Sequence, residues 1–587
     1  MSWEAWFTLA VVLGALYALA RDLYSPALTI LTATIVLLTV GIITPAQAFS
    51  GFSNAAPITV AALYVLASAV EKTGALQPLL RMTVGGAGGP TSKLARLLFP
   101  TAAASAFLNN TPIVATLAPQ VASWAERKGE SPSRYLMPLS FATILGGVVT
   151  LIGTSTNIVV SGLLEETGRP GIGMFEITPM GLPVAVAGIA FLALFSHRML
   201  PERKGAAQLA REHVREFVVN MEVVRGGALD GATVEQAGLR NLAGVYLIEV
   251  DRDGTATAPV APDFLLEGGD RLTFAGRADL VVDLQRSRGL VSSEQPHLME
   301  FDQPGHTFFE AVIGEASPLV GRTLKEVDFR SRYQAAVVAV HRSGKRLETK
   351  LGAAELKVGD TLLLLTDAGF GKRWRDRNDF LLVSRFGGTP PTASRKAWLV
   401  GLITAFIVVC AGTGVVPVLQ ASLVGAMLLI AFRILSPGEA RAAVDLDVII
   451  VIAASFGIGA AMEQTGLAAT VATGMSGLFD GFGAMGVLFG IVLTTIAVTE
   501  LITNNAAAVL VFPIAMSSAE TVGGDPRVFA IAVAVSASAS FLTPIGYQTN
   551  TMVYGMGGYR FGDYARLGFP LTIAVVAAIM LSAMFLY

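Results

Sequence analysis

The chain has 587 residues, 53% of them hydrophobic and only 15% charged. A soluble domain carries about 25% charged residues, so the composition excludes a purely soluble protein. The net charge of −2 averages a near-neutral apolar part with a charged soluble part and argues for no class of partner; no nucleic-acid partner is expected.

Apolar runs of spanning length or close to it open the chain. Spans are predicted near 4–20, 27–47 and 54–70. The first carries only Glu4, with no basic n-region and no small-residue cleavage site, so it reads as a true span and not a signal peptide. A segment at 94–125 is interrupted by Asn109-Asn110-Thr111-Pro112, and spans follow near 135–164 and 172–197. Residues 199–394 are charged and lack any span. Membrane texture returns near 396–412, 417–435 and 446–462. A second interrupted segment covers 483–518 around Thr503-Asn504-Asn505, followed by spans near 527–557 and 567–587. The single cysteine, Cys410, lies in an apolar run, and the five histidines show no metal-ligand spacing. No organic cofactor is expected.

The two membrane parts read as copies. Glu71-Lys72-Thr73-Gly74 matches Glu463-Gln464-Thr465-Gly466, and the Asn110 stretch matches the Asn504 stretch. Each of those two is followed nine residues on by a proline, Pro119 and Pro513. Gly153-Thr154-Ser155-Thr156-Asn157 matches Gly546-Tyr547-Gln548-Thr549-Asn550. The anchors share one offset of about 393, the mark of an internal repeat. Lys and Arg cluster in alternate loops, with Arg169 and Arg527 as exceptions. That bias is consistent if both termini are outside, residues 199–394 are cytoplasmic, and each interrupted segment is a re-entrant hairpin. Each half then has five spans plus a hairpin, and the odd number inverts the second copy.

The insert also repeats. Gly231, Leu239, Asp253-Gly254 and Asp270 recur as Gly321, Phe329, Ser343-Gly344 and Asp360, an offset of about 90. Each copy predicts a strand (Val218–Val223; Phe308–Ile313), a helical turn (Thr233–Gly238; Thr323–Val327), a second strand (Gly244–Val250; Ala335–His341), and a strand after Gly-Asp (Arg271–Ala275; Thr361–Thr366).

Amides and hydroxyls at membrane depth are costly without partners, and backbone leaves the helix there only where it is buried or lines a cavity. The two tips, with Gly153-Thr154-Ser155 and Thr543-Pro544-Ile545-Gly546, make four such places. Broken helices expose N-termini that favour an anion and carbonyls that suit a small hard cation. None of the four stretches holds Arg or Lys. An anion there must be held by helix ends, amides and bound cations. Asn and Thr can also simply join membrane helices; four duplicated breaks argue against that alone. Glu500 reads as a cap or rim residue, or as a proton-coupling carboxylate. Glu71 and Glu463 read as interfacial, and Gly85-Gly86-Ala87-Gly88-Gly89-Pro90 as a flexible loop lacking the Gly-Lys-Ser/Thr order of a phosphate loop.

These motifs resemble the divalent anion/sodium symporter family, whose two inverted repeats each carry a Ser-Asn-Thr hairpin tip and a Gly-Thr-x-x-Asn break. The resemblance covers both membrane halves. It implies one sodium site at Ser105, Asn109, Asn110 and Gly153 and its mirror at Thr499, Thr503, Asn504 and Gly546. It implies a substrate site among Asn109, Asn110, Thr111, Thr154, Ser155, Thr503, Asn504, Asn505, Tyr547 and Gln548. It further implies a homodimer in the cell (inner) membrane working by an elevator movement. The tips depart from the family at Asn109, Thr503 and Asn505, and the Pro-Pro of dicarboxylate carriers is absent from both breaks. This pattern is more similar to the sulfate-transporting branch, which also carries paired cytoplasmic TrkA-C-type domains. The expected architecture is therefore membrane repeat 1 at 1–198, TrkA-C-like domains at 206–292 and 300–386, and membrane repeat 2 at 396–587. The expected function is sodium-coupled import of a divalent oxyanion, sulfate first and a di- or tricarboxylate second. The cytoplasmic domains would bind a small-molecule ligand or serve as a dimerisation module. A membrane ligand sensor that does not transport is the reading from another class. No nucleophile–base constellation points to an enzyme.

Overall fold

The computed structural model describes residues 1–586 apart from 22, 78–88, 204–217, 240–244, 254, 258–259, 277–289, 293–306, 315–316, 343–344, 348–351, 353, 368, 375–378, 386–393 and 480–481. Outside the described residues lie most of the glycine-rich stretch (85–88), the turn residues Gly254 and Ser343-Gly344, and the start of each predicted insert domain. The described chain forms two compact units. One holds residues 1–202, 390–553 and 560–587, and the other holds 203–389 with 554–559.

The first unit is helical. Its N-terminal half comprises α1 (Trp3–Ala20), α2 (Pro26–Thr39), α3 (Ala55–Thr73), α4 (Pro90–Ser105), α5 (Asn110–Arg127), α6 (Leu136–Gly147), α7 (Ser155–Glu166) and α8 (Thr178–Met199). Its C-terminal half comprises α9 (Ala397–Thr413), α10 (Val418–Ala431), α11 (Leu446–Gln464), α12 (Leu467–Leu478), α13 (Gly483–Thr499), α14 (Asn504–Val522), α15 (Pro526–Ser538), α16 (Gln548–Met556) and α17 (Phe561–Leu586). Six of these, α1, α3, α8, α11, α14 and α17, are individually long and apolar enough to cross a membrane.

Local chemistry explains where the helices stop. Gly74 and Gly466 both adopt positive φ (64° and 70°), the left-handed conformation that glycine takes at a helix C-terminus. The threonine before each bonds back four residues, Thr73 Oγ1 to Ala69 O and Thr465 Oγ1 to Ala461 O, both 2.7 Å. The Glu-x-Thr-Gly repeat is thus a helix terminator. Two short helical turns, Pro45–Ala48 and Pro437–Ala442, each open with a full capping box, Thr44 with Gln47 and Ser436 with Glu439.

The predicted span 27–47 is shorter than expected, because α2 ends at Thr39 and Thr44 starts a new capped turn. Helix α12 is absent from the sequence reading. At 12 residues it is about 18 Å long, too short to span, and its counterpart falls mostly on 78–88. The spans predicted at 135–164 and 527–557 are each two helices separated by the break.

The second unit holds two five-stranded antiparallel sheets. Strands β1 (Val218–Val223), β2 (Val245–Arg252), β3 (Thr255–Thr257), β4 (Arg271–Gly276) and β5 (Leu290–Ser292) run in the order β3-β2-β4-β1-β5. Strands β6 (Thr307–Val312), β7 (Ala335–Arg342), β8 (Lys345–Arg346), β9 (Thr361–Thr366) and β10 (Leu382–Arg385) run β10-β6-β9-β7-β8, the same order read from the other edge. Both have a register shift at one place, Leu247/Glu249 and Val337/Ala339. The repeated Asp is now explained. Arg252 grips Asp270 at 2.7 and 2.7 Å, and Arg342 grips Asp360 at 2.8 and 2.7 Å. Each Asp also accepts a backbone N–H, from Glu267 or Lys357. The paired β3, β5, β8 and β10 were not predicted; they are edge strands of two to four residues, too short to show alternation.

Candidate functional site

The four polar breaks begin four helices: α5 at Asn110, α7 at Ser155, α14 at Asn504 and α16 at Gln548. One network of side-chain hydrogen bonds ties their first turns together. Asn110 Nδ2 donates to the Tyr547 hydroxyl (2.5 Å), which lies 3.2 Å from Thr154 Oγ1. Thr111 Oγ1 donates to Gln548 Oε1 (3.3 Å). Ser155 Oγ and Thr156 Oγ1 reach Asn505 Oδ1 at 3.1 and 3.3 Å, and Asn504 Nδ2 donates to Thr156 Oγ1 at 2.9 Å. Asn110, Thr154, Asn505 and Tyr547 are buried, whereas Gln548 is exposed.

The same bonds occur in both halves. Asn157 Nδ2 donates to the carbonyls of Thr150 (2.8 Å) and Gly147 (3.2 Å), and Asn550 Nδ2 to those of Thr543 (3.4 Å) and Ser540 (3.0 Å). In each case the acceptors are seven and ten residues earlier. The terminal Asn of each break is therefore a clip across the unwound backbone. Ser105 Oγ lies 2.8 Å from the Thr143 carbonyl, and Thr499 Oγ1 lies 2.6 Å from that of Ala537, both a separation of 38. Each of those tip residues sits beside a break glycine. A Cβ on Gly153 would stand 2.9 Å from the Ser105 carbonyl oxygen, and one on Gly546 would stand 3.1 Å from that of Thr499.

Among the expected site residues, Asn109 and Thr503 occupy the N-caps of α5 and α14 without a side-chain capping bond. Thr503 Oγ1 is buried and has no hydrogen-bond partner among the described residues. The remaining members join the network or flank its glycines. The break motifs read from the sequence include Thr156, Asn157 and Asn550 without assigning them a site role, and sequence reasoning missed Ser140, whose Oγ contacts Asn550 Oδ1 at 2.7 Å and Thr549 Oγ1 at 2.9 Å. It also missed Gly181 and Gly568. A Cβ on either would stand 2.0 Å from a carbonyl oxygen of a break, Val148 or Phe541. The signal was present as Gly181-Leu182-Pro183 and Gly568-Phe569-Pro570.

Glu500, at the C-cap of α13 just before the second tip, brings a carboxylate to the second break. Its Oε1 accepts the N–H groups of Phe541 (2.7 Å) and Leu542 (2.8 Å), and its Oε2 accepts the N–H and hydroxyl of Thr543 (both 3.0 Å). It thus satisfies the unwound backbone of the second break. In the first half Ala106 holds this position, and Thr150 Oγ1 donates to its carbonyl. Arg169 and Arg527, the exceptions to the charge bias, are also accounted for. Arg169 pairs with Glu520 (2.9 Å). Arg527 pairs with Glu176 through two nitrogens and donates to the Pro170 and Gly171 carbonyls (2.9 and 2.8 Å).

Helix N-termini carry free N–H groups and a positive dipole end, and the amides and hydroxyls gathered at these four supply both donors and acceptors. Among the described residues no group of three or more His, Cys, Asp or Glu could hold a metal ion.

A family model described as citrate transporter matches residues 15–534. The chain belongs to that family of membrane transporters. It is 34% identical to an uncharacterised transporter of Synechocystis over 99% of this chain and 97% of the relative. It is 34% identical to a Chlamydomonas reinhardtii protein named for the sulfur deprivation response, over 92% and 94% of the two chains. It is 25% identical to sodium/sulfate cotransporter 1 of the same alga over 98% and 89%. The protein is thus a polytopic membrane transporter, and a small anion is the class of cargo that the family carries.

Proposed function

We propose that the chain is a sodium-coupled symporter that imports a divalent oxyanion, sulfate foremost, by an elevator movement of two inverted repeats. The single observation carrying this reading is the convergence of four helix N-termini, rich in amides and hydroxyls and free of Lys and Arg. A tetrahedral oxyanion accepts hydrogen bonds from all sides, which suits such a ring of donors. Asn110, Thr111, Ser155, Asn504, Asn505 and Gln548 would contact it, with Thr154 and Tyr547 behind them. The recurrence of the clips and tip bonds supports the repeat.

The first cation position would use Ser105, Asn109, Asn110 and Gly153. Ser105 Oγ lies 2.6 Å from Asn110 Oδ1 as well as near the Thr143 carbonyl. With its proton given to Thr143, the hydroxyl and the amide oxygen both face a cation as acceptors. The second position would use Thr499, Thr503, Asn504 and Gly546. Coupling places positive charge beside the anion, which the side chains do not supply. Residues 199–394 would lie in the cytoplasm as two TrkA-C-like modules, and the transporter would act as a dimer.

A di- or tricarboxylate is the second reading, favoured by the description of the matching family. Sulfate is preferred because relatives covering nearly the whole chain bear sulfate names and because both breaks lack Pro-Pro. The test is uptake of labelled sulfate into proteoliposomes, with and without a sodium gradient, competed by excess citrate or succinate. Asn110→Ala and Asn504→Ala should abolish uptake in proteins that remain folded; unaltered uptake in both would remove the site assignment. Absence of counterflow would favour a sensor.

A further inference from the structure

We propose that the second cation position carries an oxygen ligand the first lacks, the hydroxyl of Ser540. This rests on the coupled-transport reading above and refines its second cation position. Ser540 lies in the unwound stretch between α15 and α16. It is fully buried, and among the described residues its Oγ has no hydrogen-bond partner. An unpaired buried hydroxyl is a cost that native structures seldom leave uncompensated. A Cβ on Gly546 would stand 2.2 Å from Ser540 Oγ, 3.1 Å from the Thr499 carbonyl oxygen and 3.1 Å from Thr543 Oγ1. Three oxygens thus surround one point beside Gly546. The Thr499 carbonyl lies at the C-terminal end of α13, where helix carbonyls lack in-helix donors.

The two halves differ at this point in a complementary way. Gly147 stands where Ser540 stands in the second half, at the offset of 393. A Cβ on Gly147 would meet Asn110 Oδ1 at 2.7 Å, so in the first half the amide oxygen of the tip takes this space. In the second half the corresponding amide is turned away. Asn504 Oδ1 accepts the N–H of Asn505 (3.0 Å), and Asn504 Nδ2 donates to Thr156. The Ser540 hydroxyl occupies the place of the missing amide oxygen. The ligand set therefore reads Asn110 amide oxygen at the first position and Ser540 hydroxyl at the second. Glu500 is tied to Thr543 Oγ1 (3.0 Å) and adds negative charge only on the second side. Cation recognition is thus divided unequally between the two positions.

The experiment is the sodium-dependent thermal stabilisation of the purified full-length protein in detergent, without anion and with choline as the ionic control, beside sodium titration of sulfate uptake. Ser540→Ala and Ser540→Gly, the latter reproducing the first half, should raise the half-saturating sodium concentration about tenfold in both measurements. The shift should appear in the sodium dependence and not in the anion KM. Two folded variants with the wild-type sodium dependence would overturn the role of Ser540 and leave coupling intact. A wild-type protein that responds to neither sodium nor lithium would overturn the coupling reading, and this inference with it.

Discussion

Removing the Glu500 carboxylate tests whether that residue is a structural cap or a carrier of protons. In Glu500→Ala, three N–H groups and one hydroxyl of the second break lose their acceptor. A buried unsatisfied donor costs about 1–3 kcal/mol. Four would give a ceiling near 12 kcal/mol, which water entry and relaxation reduce, so a loss of about 4 kcal/mol is expected. Glu500→Gln keeps one oxygen for Phe541 and Leu542 but turns an NH₂ toward the two Thr543 donors. That replaces two charge-assisted bonds by a donor–donor clash, for a cost of about 3 kcal/mol. Leu501→Ala, next in sequence and exposed, should cost less than about 0.5 kcal/mol. Thermal unfolding in detergent and anion uptake across pH read the two roles separately. A cap predicts the stability order Leu501→Ala, Glu500→Gln, Glu500→Ala, with uptake falling alongside stability. A Glu500→Gln protein as stable as wild type, but with its pH dependence of uptake abolished, would refute the argument and make Glu500 a proton carrier.

Other perturbations follow from the same geometry. Asp360→Ala removes the buried carboxylate that Arg342 and the Lys357 N–H share and should destabilise the second sheet by about 2–3 kcal/mol, visible as faster limited proteolysis of the insert. Gly568→Ala drives a methyl into the Phe541 carbonyl and should cost about 1–3 kcal/mol or more, while also reducing uptake by displacing the second break. Glu439 pairs with Lys72 at 2.5 Å, and that ammonium, with the Ser436 N–H, holds its carboxyl down to about 2. A depressed pKa contributes stability that is present above the ordinary value of 4.5 and disappears as pH falls toward 2. The pair is largely solvent-exposed, so Glu439→Gln should cost under about 1 kcal/mol at pH 7 and nothing measurable at pH 2 by thermal unfolding.

The parts legible in the sequence were those where one residue type is demanded by backbone geometry. The glycine at positive φ after Glu-x-Thr, the Asn that clips each break, and the Asp held by an Arg each tolerate few substitutes, so the spacing exposed them. Helix α12 was not legible, because an apolar stretch of 12 residues is too short to read as a span of its own beside longer ones. Ser540 was hidden for the opposite reason. Its counterpart is Gly147, so a search for matching letters passes over the position where the halves differ. Gly181 and Gly568 were hidden because the chain from Gln548 to Gly568 is six residues shorter than that from Ser155 to Gly181, which moves the matching Gly-x-Pro off the common offset.

The unusual tip residues acquire a reason once the cross-pairs are compared. Thr111 of the first tip corresponds to Asn505 of the second, and Ser155 of the first break corresponds to Gln548 of the second. The bonds run between halves: Thr111 to Gln548, and Ser155 to Asn505. Each is a hydroxyl donating to an amide oxygen. On one side the tip provides the hydroxyl and the break the amide, and on the other these roles are exchanged. Asn505 therefore departs from the family threonine because Ser155 already supplies the hydroxyl opposite it. Thr154 and Tyr547, also counterparts, meet each other at 3.2 Å. Restoring threonine at 505 alone would set hydroxyl against hydroxyl across that bond and shorten the reach between halves. Asn505→Thr should therefore lower anion affinity, and Asn505→Thr with Ser155→Gln should recover part of it by rebuilding the opposite pair. Uptake KM in the single and double variants measures this. Additive losses would show that the two residues act independently and that the exchange of roles is coincidental.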